Sequence, residues 1–405
     1  MSYFLPTAAT VRTMNNVGAN IYTFAATDGT TWVIIANPYP SLAILTIPLN
    51  ASVPIAVGTV MEMFMNTTHA ATLLAQTGVT LYGRLKAFGQ GAWIQLVKTA
   101  TDTWYANGTV EGYGYFMGGL DSGGSIQMAT TDRIAFSTAT TAAYSSANLS
   151  VGRGAHPASM SDCLLYGYAC GGSTGAASAV TDRLVYSTGV TTAATVSNLL
   201  VARWGAACVN DGVTYGYVAG GYTGAADLTT ERMTYSTGVF AARTTANLSL
   251  ARYRGFSLSD SGVVGYGYYC GGYSSAACAT ADRFTFSTGT TAAFTAADLR
   301  SARYRAGHGL SDSVTSGYFI GGLGGTTTVD KLTFSTGVTA ADTTATLDAA
   351  SSYSATLSDG CAFGYFSGNN VMHRFNYQTN SSAAIAAANL SNNRYEWCNI
   401  SDSCV

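Results

Sequence analysis

The feature that most constrains this chain is an internal repeat of about fifty residues, which occurs six times between residue 110 and residue 405. In every copy a tyrosine-rich run closes on a pair of glycines, except in the last, which has Gly368-Asn369 instead. A unit of this length cannot bury its apolar face alone, so neighbouring copies must pack against each other. The regular glycine pairs begin at Gly118, Gly171, Gly220, Gly271 and Gly321.

Each copy shows the pattern of four short strands separated by turns. Apolar and polar residues alternate in the strands, and Gly-Gly, Ser-Asp and Thr-Gly mark the turns. An acid–base dipeptide opens the third strand, and in most copies an arginine precedes the first. The dipeptides are Asp132-Arg133, Asp182-Arg183, Glu231-Arg232, Asp282-Arg283, Asp330-Lys331 and the degenerate His373-Arg374. The arginines are Arg153, Arg203, Arg252, Arg303 and Arg394.

One four-stranded antiparallel sheet per copy predicts an all-β fold, with a six-bladed β-propeller over residues 109–405. The segment after Arg394 has the pattern of a first strand, and the first copy lacks one. We therefore expect the C-terminal strand to complete the first blade and close the ring, which removes exposed sheet edges. A linear β-solenoid and a seventh blade built around Trp104 are the alternatives.

The order of these features resembles the kelch repeat: an arginine before strand one, an aromatic run ending in Gly-Gly, then an acidic residue and an aromatic in strand three. The resemblance covers roughly residues 110–405. It departs from the family in strand four, where small residues and a leucine replace the usual tryptophan. It implies a kelch-like propeller whose mouth is lined by the segments between strand four and the next strand one.

The first 108 residues do not share the repeat. Their alternating apolar runs, interrupted by Pro, Asn and Gly, predict a small antiparallel β-sandwich. Residues 78–108 resemble a module that ends a β domain in virion proteins of tailed bacteriophages, among them tail fibres and decoration proteins. This resemblance implies that the N-terminal domain attaches the protein to other virion proteins. The matching residues are Gly91, Leu96, Lys98, Asp102, Trp104 and Gly108.

Composition narrows the range of partners. Only 10% of the residues are charged and the formal net charge is −2, so we expect no nucleic-acid binding, which needs a dense basic surface. The most apolar stretch, residues 32–60, is broken by prolines, and we expect no membrane insertion. None of the eight cysteines forms a CxxC pair. Buried free thiols are therefore favoured, with Cys270 and Cys278 the pair best placed to cross-link.

The sequence contains no constellation that predicts an enzyme. Copper-oxidase propellers need two histidines near one metal, but His156 and His308 stand in copies on opposite sides of the predicted ring. Carboxylates recur in every copy, and recurrence favours a structural role because a catalytic pair has no reason to be repeated. We expect no catalytic residue, no metal and no cofactor. The arginines Arg153, Arg203, Arg252 and Arg303 are expected to pair with a carboxylate of a neighbouring blade.

Ligand contacts are expected where residues depart from the repeat. The loops at 120–130, 173–181, 222–230 and 273–281 vary while the strand frame repeats, as expected of recognition loops on a rigid scaffold. Aromatic and arginine side chains there and before strand one suit sugar stacking or protein contact. The candidate ligand-binding residues are Trp204, Tyr222, Tyr253, Arg254, Tyr273, Tyr304 and Arg305.

These features together predict a non-enzymatic, fibre-like phage virion protein whose propeller binds a glycan or protein of the host surface. Self-association into a homo-oligomer stays open. The first alternative is a decoration protein that cements the particle, which predicts a bare polar mouth rather than an aromatic cluster with arginine. The second is a carbohydrate-active enzyme, which predicts a carboxylate pair confined to one or two blades.

Overall fold

The computed structural model divides the chain into two compact units, Met1–Gly112 and Tyr113–Val405. Sequence analysis expected the boundary four residues earlier. Strands account for 48% of the chain and helices for 5%, which confirms the all-β prediction. The structure describes residues 10–14, 21–26, 31–35, 43–65, 70–76, 78–83, 86–88, 93–108, 112–162, 165–212, 214–260, 265–305, 309–313, 315–323, 327–345, 347–348, 356–360, 362–368 and 371–402.

The N-terminal unit has two sheets within its described part. The larger has the strand order β1-β3-β5-β9-β10-β7, and the smaller has the order β2-β4-β6-β8. Their strands are β1 (Thr10–Met14), β2 (Ile21–Thr23), β3 (Thr31–Ile35), β4 (Ala43–Ile47), β5 (Val60–Met65), β6 (Ala70–Ala75), β7 (Thr80–Gly83), β8 (Lys86–Phe88), β9 (Trp93–Ala100) and β10 (Thr103–Gly108).

The predicted antiparallel arrangement of this unit is wrong, because most of its described strand pairs are parallel. Strands β1, β3 and β5 run parallel to one another, as do β2, β4 and β6, and β10 runs parallel to β7. Among the described pairs of this unit, β5/β9, β9/β10 and β6/β8 are antiparallel. Successive strands from β1 to β8 alternate between the two sheets, so neighbours in one sheet are two strands apart in sequence and can share a direction.

One buried core joins both N-terminal sheets, with Leu45 and Leu73 from the smaller and Met63 and Leu96 from the larger. Trp104 in β10 belongs to the same core. Since β10 pairs with β9 and β7, this tryptophan lies in the N-terminal unit and is not the centre of a seventh repeat sheet.

Three residues that carry the resemblance to the virion module lie close together in this unit. Lys98 is 2% exposed, and its Nζ lies 5.6 Å from the centroid of the Trp104 ring. That Nζ donates hydrogen bonds to Asn50 Oδ1 at 2.6 Å and to the Ile55 carbonyl at 2.7 Å. The Asn50 N–H donates to Asp102 Oδ1 at 2.5 Å. Gly91 lies outside the described residues.

The C-terminal unit is built from short strands and five three-residue 3-10 helices in its described part. Its first strands are β11 (Tyr113–Met117), β12 (Leu120–Asp121), β13 (Thr131–Ala135), β14 (Thr140–Ala143), β15 (Ala158–Ser161), β16 (Tyr166–Cys170), β17 (Thr181–Val185), β18 (Val190–Ala193), β19 (Ala207–Asn210), β20 (Tyr215–Ala219), β21 (Thr230–Thr234), β22 (Val239–Ala242) and β23 (Phe256–Ser259). The others are β24 (Tyr266–Tyr273), β25 (Ala277–Thr285), β26 (Thr290–Ala293), β27 (Leu310–Ser311), β28 (Ser316–Ile320), β29 (Val329–Thr333), β30 (Val338–Ala341), β31 (Thr356–Ser358), β32 (Phe363–Gly368), β33 (Val371–Asn376), β34 (Ser381–Ala384), β35 (Arg394–Tyr395) and β36 (Cys398–Ser401). The helices are Ser145–Ala147, Thr195–Ser197, Thr244–Ala246, Thr295–Ala297 and Ala386–Ala388.

These strands form one four-stranded antiparallel sheet per repeat, as the sequence predicts. Sheet 1 has the order β14-β13-β11-β36, so the C-terminal strand completes the first copy. Sheets 2 to 6 contain β15–β18, β19–β22, β23–β26, β27–β30 and β31–β34, each in sequence order. Short β12 and β35 pair with each other beside sheet 1.

Contacts between the first strands link the six sheets in a cycle. Strand β15 contacts β19, β19 contacts β23, β23 contacts β27, and β27 contacts β31. Strand β36 contacts both β31 and β15, so the series returns to its start. Next to β36, the carboxylate of Asp402 accepts hydrogen bonds from the N–H of Tyr113 at 2.8 and 2.9 Å. The two ends of the repeat region are therefore joined both by strand pairing and by this side chain.

The repeated arginines do not form the ion pairs with neighbouring sheets that were expected from the sequence. Each pairs with the dipeptide acid of the sheet that it precedes, not of a neighbouring one. Strands one and three of an antiparallel sheet run in the same direction, so an arginine before strand one meets an acid at the start of strand three. The arginine segment is bonded to the preceding sheet through its main chain. The carbonyl of Arg153, which precedes sheet 2, accepts a hydrogen bond from the N–H of Gly119, beside sheet 1, at 2.8 Å. The ion pairs are Arg153–Asp182 (2.6 Å), Arg203–Glu231 (2.9 Å), Arg252–Asp282 (2.9 Å), Arg303–Asp330 (2.6 Å) and Arg394–Asp132.

The glycine pairs make this backward link possible. Both glycines of every regular pair have positive φ, a region that other residues reach only at a cost. At Gly118 a Cβ atom would lie 2.6 Å from the Arg153 carbonyl oxygen, and at Gly171 it would lie 2.6 Å from that of Arg203. Glycine is therefore required both for the backbone conformation and for the close approach of the next arginine segment.

The described cysteines are free thiols. Cys270 and Cys278, the pair that we judged best placed to cross-link, are both unpaired. Burial raises the pKa of the Cys170 thiol to about 12, so this group stays protonated and unreactive at neutral pH. Within the described part of the chain, no helix has the length and apolarity that crossing a membrane would require.

Candidate functional site

The structure brings the seven predicted ligand-binding residues together in one cluster. The rings of Trp204 and Tyr222 stack with centroids 4.7 Å apart, and Tyr253 contacts both, at 5.1 and 5.3 Å. Tyr273 lies 5.6 Å from Tyr253 and 4.9 Å from Tyr304. The two cations join this row, with Arg254 4.8 Å from the Trp204 ring and Arg305 5.8 Å from the Tyr304 ring. We call these seven residues the aromatic–arginine cluster.

Repeated backbone geometry positions the cluster. In the described copies that have a repeat arginine, the residue after this arginine lies beside the residue after a glycine pair. The N–H of Tyr222 donates to the carbonyl of Trp204 at 2.8 Å, and the N–H of Tyr273 donates to the carbonyl of Tyr253 at the same distance. The equivalent bridge in sheet 2 joins Gly154 to Ser173. Among the described copies, two rings face each other across this bridge in sheets 3 and 4, where both positions are aromatic.

Main-chain hydrogen bonds connect the segments that precede the first strands of different sheets, which carry several of these rings. Arg305 N–H donates to the Arg254 carbonyl at 2.9 Å, and Arg254 N–H donates to the Gly205 carbonyl at 2.7 Å. Gly205 N–H in turn donates to the Ala155 carbonyl at 2.9 Å, and His156 N–H donates to the Glu396 carbonyl at 2.9 Å. The backbone that carries the cluster is therefore connected from sheet 5 to sheet 1.

An ion pair adds a direct link across this arrangement. Arg254 precedes sheet 4 and Glu396 precedes β36 of sheet 1, yet Arg254 Nη2 lies 2.6 Å from Glu396 Oε1. The Glu396 side chain is 2% exposed and that of Arg254 13%. The carboxylate balances the arginine charge, so Arg254 presents the cluster with a fixed and neutralised cation rather than a free one.

All seven side chains of the cluster are partly exposed. Burial raises the pKa of Tyr253, and the neighbouring Arg254 lowers it by less, so its hydroxyl remains protonated and available as a hydrogen-bond donor. A row of partly exposed aromatic rings with phenol hydroxyls and an arginine can bind apolar faces and polar groups of one ligand together.

Two residues at positions equivalent to those of the cluster were not predicted from the sequence, and one of them, Glu396, contacts the cluster. Tyr395 and Glu396 follow Arg394, and they occupy the same positions as Tyr253 and Arg254 after Arg252. Glu396 has the same positive φ, 56°, as Arg254 has at 55°. Aligning the last arginine segment with the others would have found both residues, although not the pairing of Arg254 with Glu396.

A small polar cavity of about 50 Å³ lies between the first strands of the sheets. Hydroxyl and amide groups line much of it, including Ser159, Ser257, Ser259 and Asn399. Adjacent first strands also exchange hydrogen bonds there, as when Asn210 N–H donates to Ser259 Oγ at 3.1 Å. A cavity of this size and polarity fits a few water molecules.

The acidic groups of the repeats form ion pairs and hydrogen bonds that stabilise the fold. The dipeptide acids pair with the repeat arginines, and the Ser-Asp aspartates accept main-chain hydrogen bonds, as Asp162 does from Leu165 and Tyr166 at 2.8 Å. Among the described residues, no group of three or more His, Cys, Asp or Glu side chains is arranged to hold a metal ion. His156 is 4% exposed, and His308 lies outside the described residues.

Comparison with known proteins does not extend this description. No protein family matches the chain, and no curated protein matches it significantly. Function must therefore be argued from the site itself.

Proposed function

We propose that the C-terminal unit is a six-bladed, kelch-like β-propeller that recognises a ligand without chemistry. Six four-stranded antiparallel sheets, whose first strands contact each other in a cycle, support this architecture. For the N-terminal unit, a shared core between two sheets supports a sandwich of mixed parallel and antiparallel pairing. The aromatic–arginine cluster lies at the ends of the sheets that carry the glycine pairs, where the kelch resemblance puts the mouth.

The observation that carries the function is the cluster itself. Five aromatic rings from sheets 3 to 5 and their loops form one partly exposed surface on hydrogen-bonded backbone. Tyrosine and tryptophan bury large areas on binding and lose little conformational entropy, so such rows are typical of recognition sites. A bare polar mouth would have favoured the decoration hypothesis instead. The ligand that we propose is a glycan or protein of a host surface.

The proposal that the protein is not an enzyme is supported by the ion pairs that its carboxylates form with arginine. Asp282 and Asp330 are fully buried and paired with arginine, and the same pairing recurs in sheets 1, 2 and 3. A glycosidase needs two carboxyl groups facing a common substrate site. Glu396, an acid in contact with the described cluster, is buried and bound to Arg254.

The proposed location is the virion of a tailed phage, in a fibre-like protein anchored through its N-terminal unit to other virion proteins. Its support is the sequence resemblance, together with the proximity of Lys98, Asp102 and Trp104 around Asn50. Imaging of purified particles from the source lysate with an antibody against the repeat region tests it. Label at a defined position supports the proposal, and absence of label from intact particles contradicts it.

Ligand recognition is tested with a glycan array and a cell-binding assay on host cells. Tyr222→Ala and Tyr273→Ala should each weaken binding at least about tenfold, because both remove rings that pair with others in the cluster. Tyr105→Ala is the matched control, since this tyrosine is 46% exposed on the N-terminal unit and should leave binding unchanged. Equal binding by all variants would exclude the cluster as the recognition site. Release of a reducing sugar end would exclude the non-enzymatic proposal.

A further inference from the structure

A second repeated position comes directly after the fourth strand of each sheet. The residue after the fourth strand donates its N–H to the carbonyl at the start of the third strand, as Tyr144 does to Thr131 at 2.8 Å and Ala194 does to Thr181 at 2.9 Å. This hydrogen bond defines the equivalent residues of sheets 1 to 6. They are Tyr144, Ala194, Arg243, Phe294, Asp342 and Ile385.

In four of these copies the side chain fills the space between its own sheet and the next one. We call this space the joint between the two sheets. At Gly189 a Cβ atom would lie 2.6 Å from the Tyr144 hydroxyl, and at Gly337 it would lie 2.9 Å from the Phe294 ring. Arg243 Nη2 donates to the Thr288 carbonyl at 3.1 Å, and Asp342 accepts a hydrogen bond from Asn380 at 2.8 Å. In each case the contact is with the turn between the third and fourth strands of the following sheet.

Sheet 2 differs because Ala194 is too short to reach that turn. An open cleft of about 380 Å³ lies between sheets 2 and 3 at this joint. Its walls are Tyr166, Tyr168, Arg183, Ala194 and the turn from Tyr235 to Gly238. Val196, at the rim, is 71% exposed. We call this cleft the Ala194 slot.

The equivalent copies show what the slot would hold. Arg133 lies between two rings, with its Cζ 4.2 Å from the centroid of Tyr113 and 3.8 Å from that of Tyr144. Arg283 lies in the same way between Tyr266, at 4.3 Å, and Phe294, at 3.9 Å. Arg183 has the first of these rings, Tyr166 at 4.5 Å, but Ala194 provides no second ring.

We propose that the Ala194 slot binds the aromatic side chain of a tyrosine or phenylalanine presented by a protein partner, stacked on the guanidinium of Arg183. The chain's own Tyr144 and Phe294 occupy the same place in sheets 1 and 4, so the slot has the shape and the electrostatic character for such a ring. The apolar side chain of Val196 at the rim adds contact area for the segment that carries the ring. This site does not depend on the aromatic–arginine cluster, because none of the residues that line the slot belongs to it.

The probe is N-acetyl-tyrosine amide, titrated into the full-length protein and followed by NMR signals of the probe. We expect one site with a Kd on the order of 1 mM, since a single ring supplies most of the contact. Ala194→Phe fills the slot and should weaken probe binding at least about tenfold. N-acetyl-alanine amide has the same backbone without the ring and should not bind.

Phe294→Ala is the matched gain-of-site variant, because it empties the equivalent joint between sheets 4 and 5. It should raise the stoichiometry from one probe molecule to two. Should this variant fail to fold, the melting temperature of Ala194→Phe decides independently, and a rise of about 2 °C or more is expected from a ring that fits the slot. No probe binding by the wild type, unchanged binding by Ala194→Phe, or a lowered melting temperature of Ala194→Phe overturns the proposal.

Discussion

At the scale of single residues, one repeated position next to the candidate site has left-handed backbone. The second residue after the repeat arginine has positive φ in five copies, namely Ala155, Gly205, Arg254, Arg305 and Glu396. Four of the five are not glycine, and each such residue costs about 1 kcal/mol or more relative to ordinary backbone. Arg254 and Glu396 offset this cost with their ion pair. Backbone strain at non-glycine residues is often found at functional sites, which agrees with the proposed recognition role.

The glycine pairs can be tested by one substitution at this scale. Gly171→Ala should lower the free energy of unfolding by about 3–5 kcal/mol, because the new Cβ would lie 2.6 Å from the Arg203 carbonyl oxygen at a φ of 66°. Gly175→Ala is the control, since its φ of 103° is also unfavourable but nothing lies within 4 Å. It should cost only about 1–2 kcal/mol. Urea unfolding measures both, and equal losses would show that the close contact contributes nothing.

At the scale of sheets, the joints between neighbours use different chemistry at one equivalent position. An aromatic ring fills the joint after sheets 1 and 4, an arginine fills it after sheet 3, and Asp342 fills it after sheet 5. The backbone frame is common to all of these joints, so the side chain at each one is free to vary. A change of pH can therefore test one joint separately from the others. Among these four joints, only the one after sheet 5 depends on an acidic side chain for its stability.

Asp342 should make the stability of this joint depend on pH. Partial burial raises the pKa of Asp342, but hydrogen bonds from Asn380 and Thr344 outweigh it and hold the pKa below the ordinary 3.8. A lowered pKa in the folded state means that the stabilisation is complete above pH 3.8 and is lost as the pH falls through the folded value. Asp342→Asn should therefore be less stable than wild type at pH 6, by less than about 1 kcal/mol because the group is solvent-screened.

The difference between Asp342→Asn and wild type should shrink as the pH falls from 4 toward 2.5 in denaturant titrations. Arg243→Gln is the control, because it weakens the corresponding joint after sheet 3, where the hydrogen bond involves no carboxyl group. Its effect on the free energy of unfolding should be the same at every pH. A difference for Asp342→Asn that is constant with pH would contradict the assigned role of the carboxylate.

At the scale of the whole molecule, the C-terminal strand is the element on which closure depends. Strand β36 pairs with β11 and contacts β31 and β15, and its Cys398 and Ile400 are 1% and 2% exposed. Without the segment from Arg394 onward, sheet 1 would lose its first strand β36, and Asp132 would be left buried without Arg394 of β35. A buried charge without its partner is strongly destabilising.

Deletion of residues 394–405 should therefore lower the melting temperature by more than about 10 °C, or abolish cooperative unfolding. Circular dichroism and limited proteolysis measure this outcome. Asp402→Asn keeps the strand and changes only the group that accepts the Tyr113 N–H, so it should cost no more than about 1–2 kcal/mol. A deletion variant that melts within 2 °C of wild type would show that the repeat region does not depend on closure.

The sequence by itself determined the six four-stranded sheets, the completion of sheet 1 by the C-terminal strand and the seven residues of the cluster. These follow from local rules: alternation marks strands, glycine marks left-handed turns, and equivalent positions in a repeat come to equivalent places. Trp204, Tyr253 and Tyr304 all follow a repeat arginine, so any fold that superposes the copies carries them on the same end of the sheets.

Only the tertiary structure decided which groups meet across copies. Alternating apolar residues are the same in parallel and antiparallel strands, so the direction of β1 to β6 could not be predicted from them. The partner of Arg254 is Glu396, 142 residues away. The Ala194 slot exists because the small side chain of Ala194 does not reach the turn of the neighbouring sheet. Both depend on distances between segments remote in sequence. A local pattern specifies a residue's conformation and the face on which it lies, but only packing specifies what lies opposite.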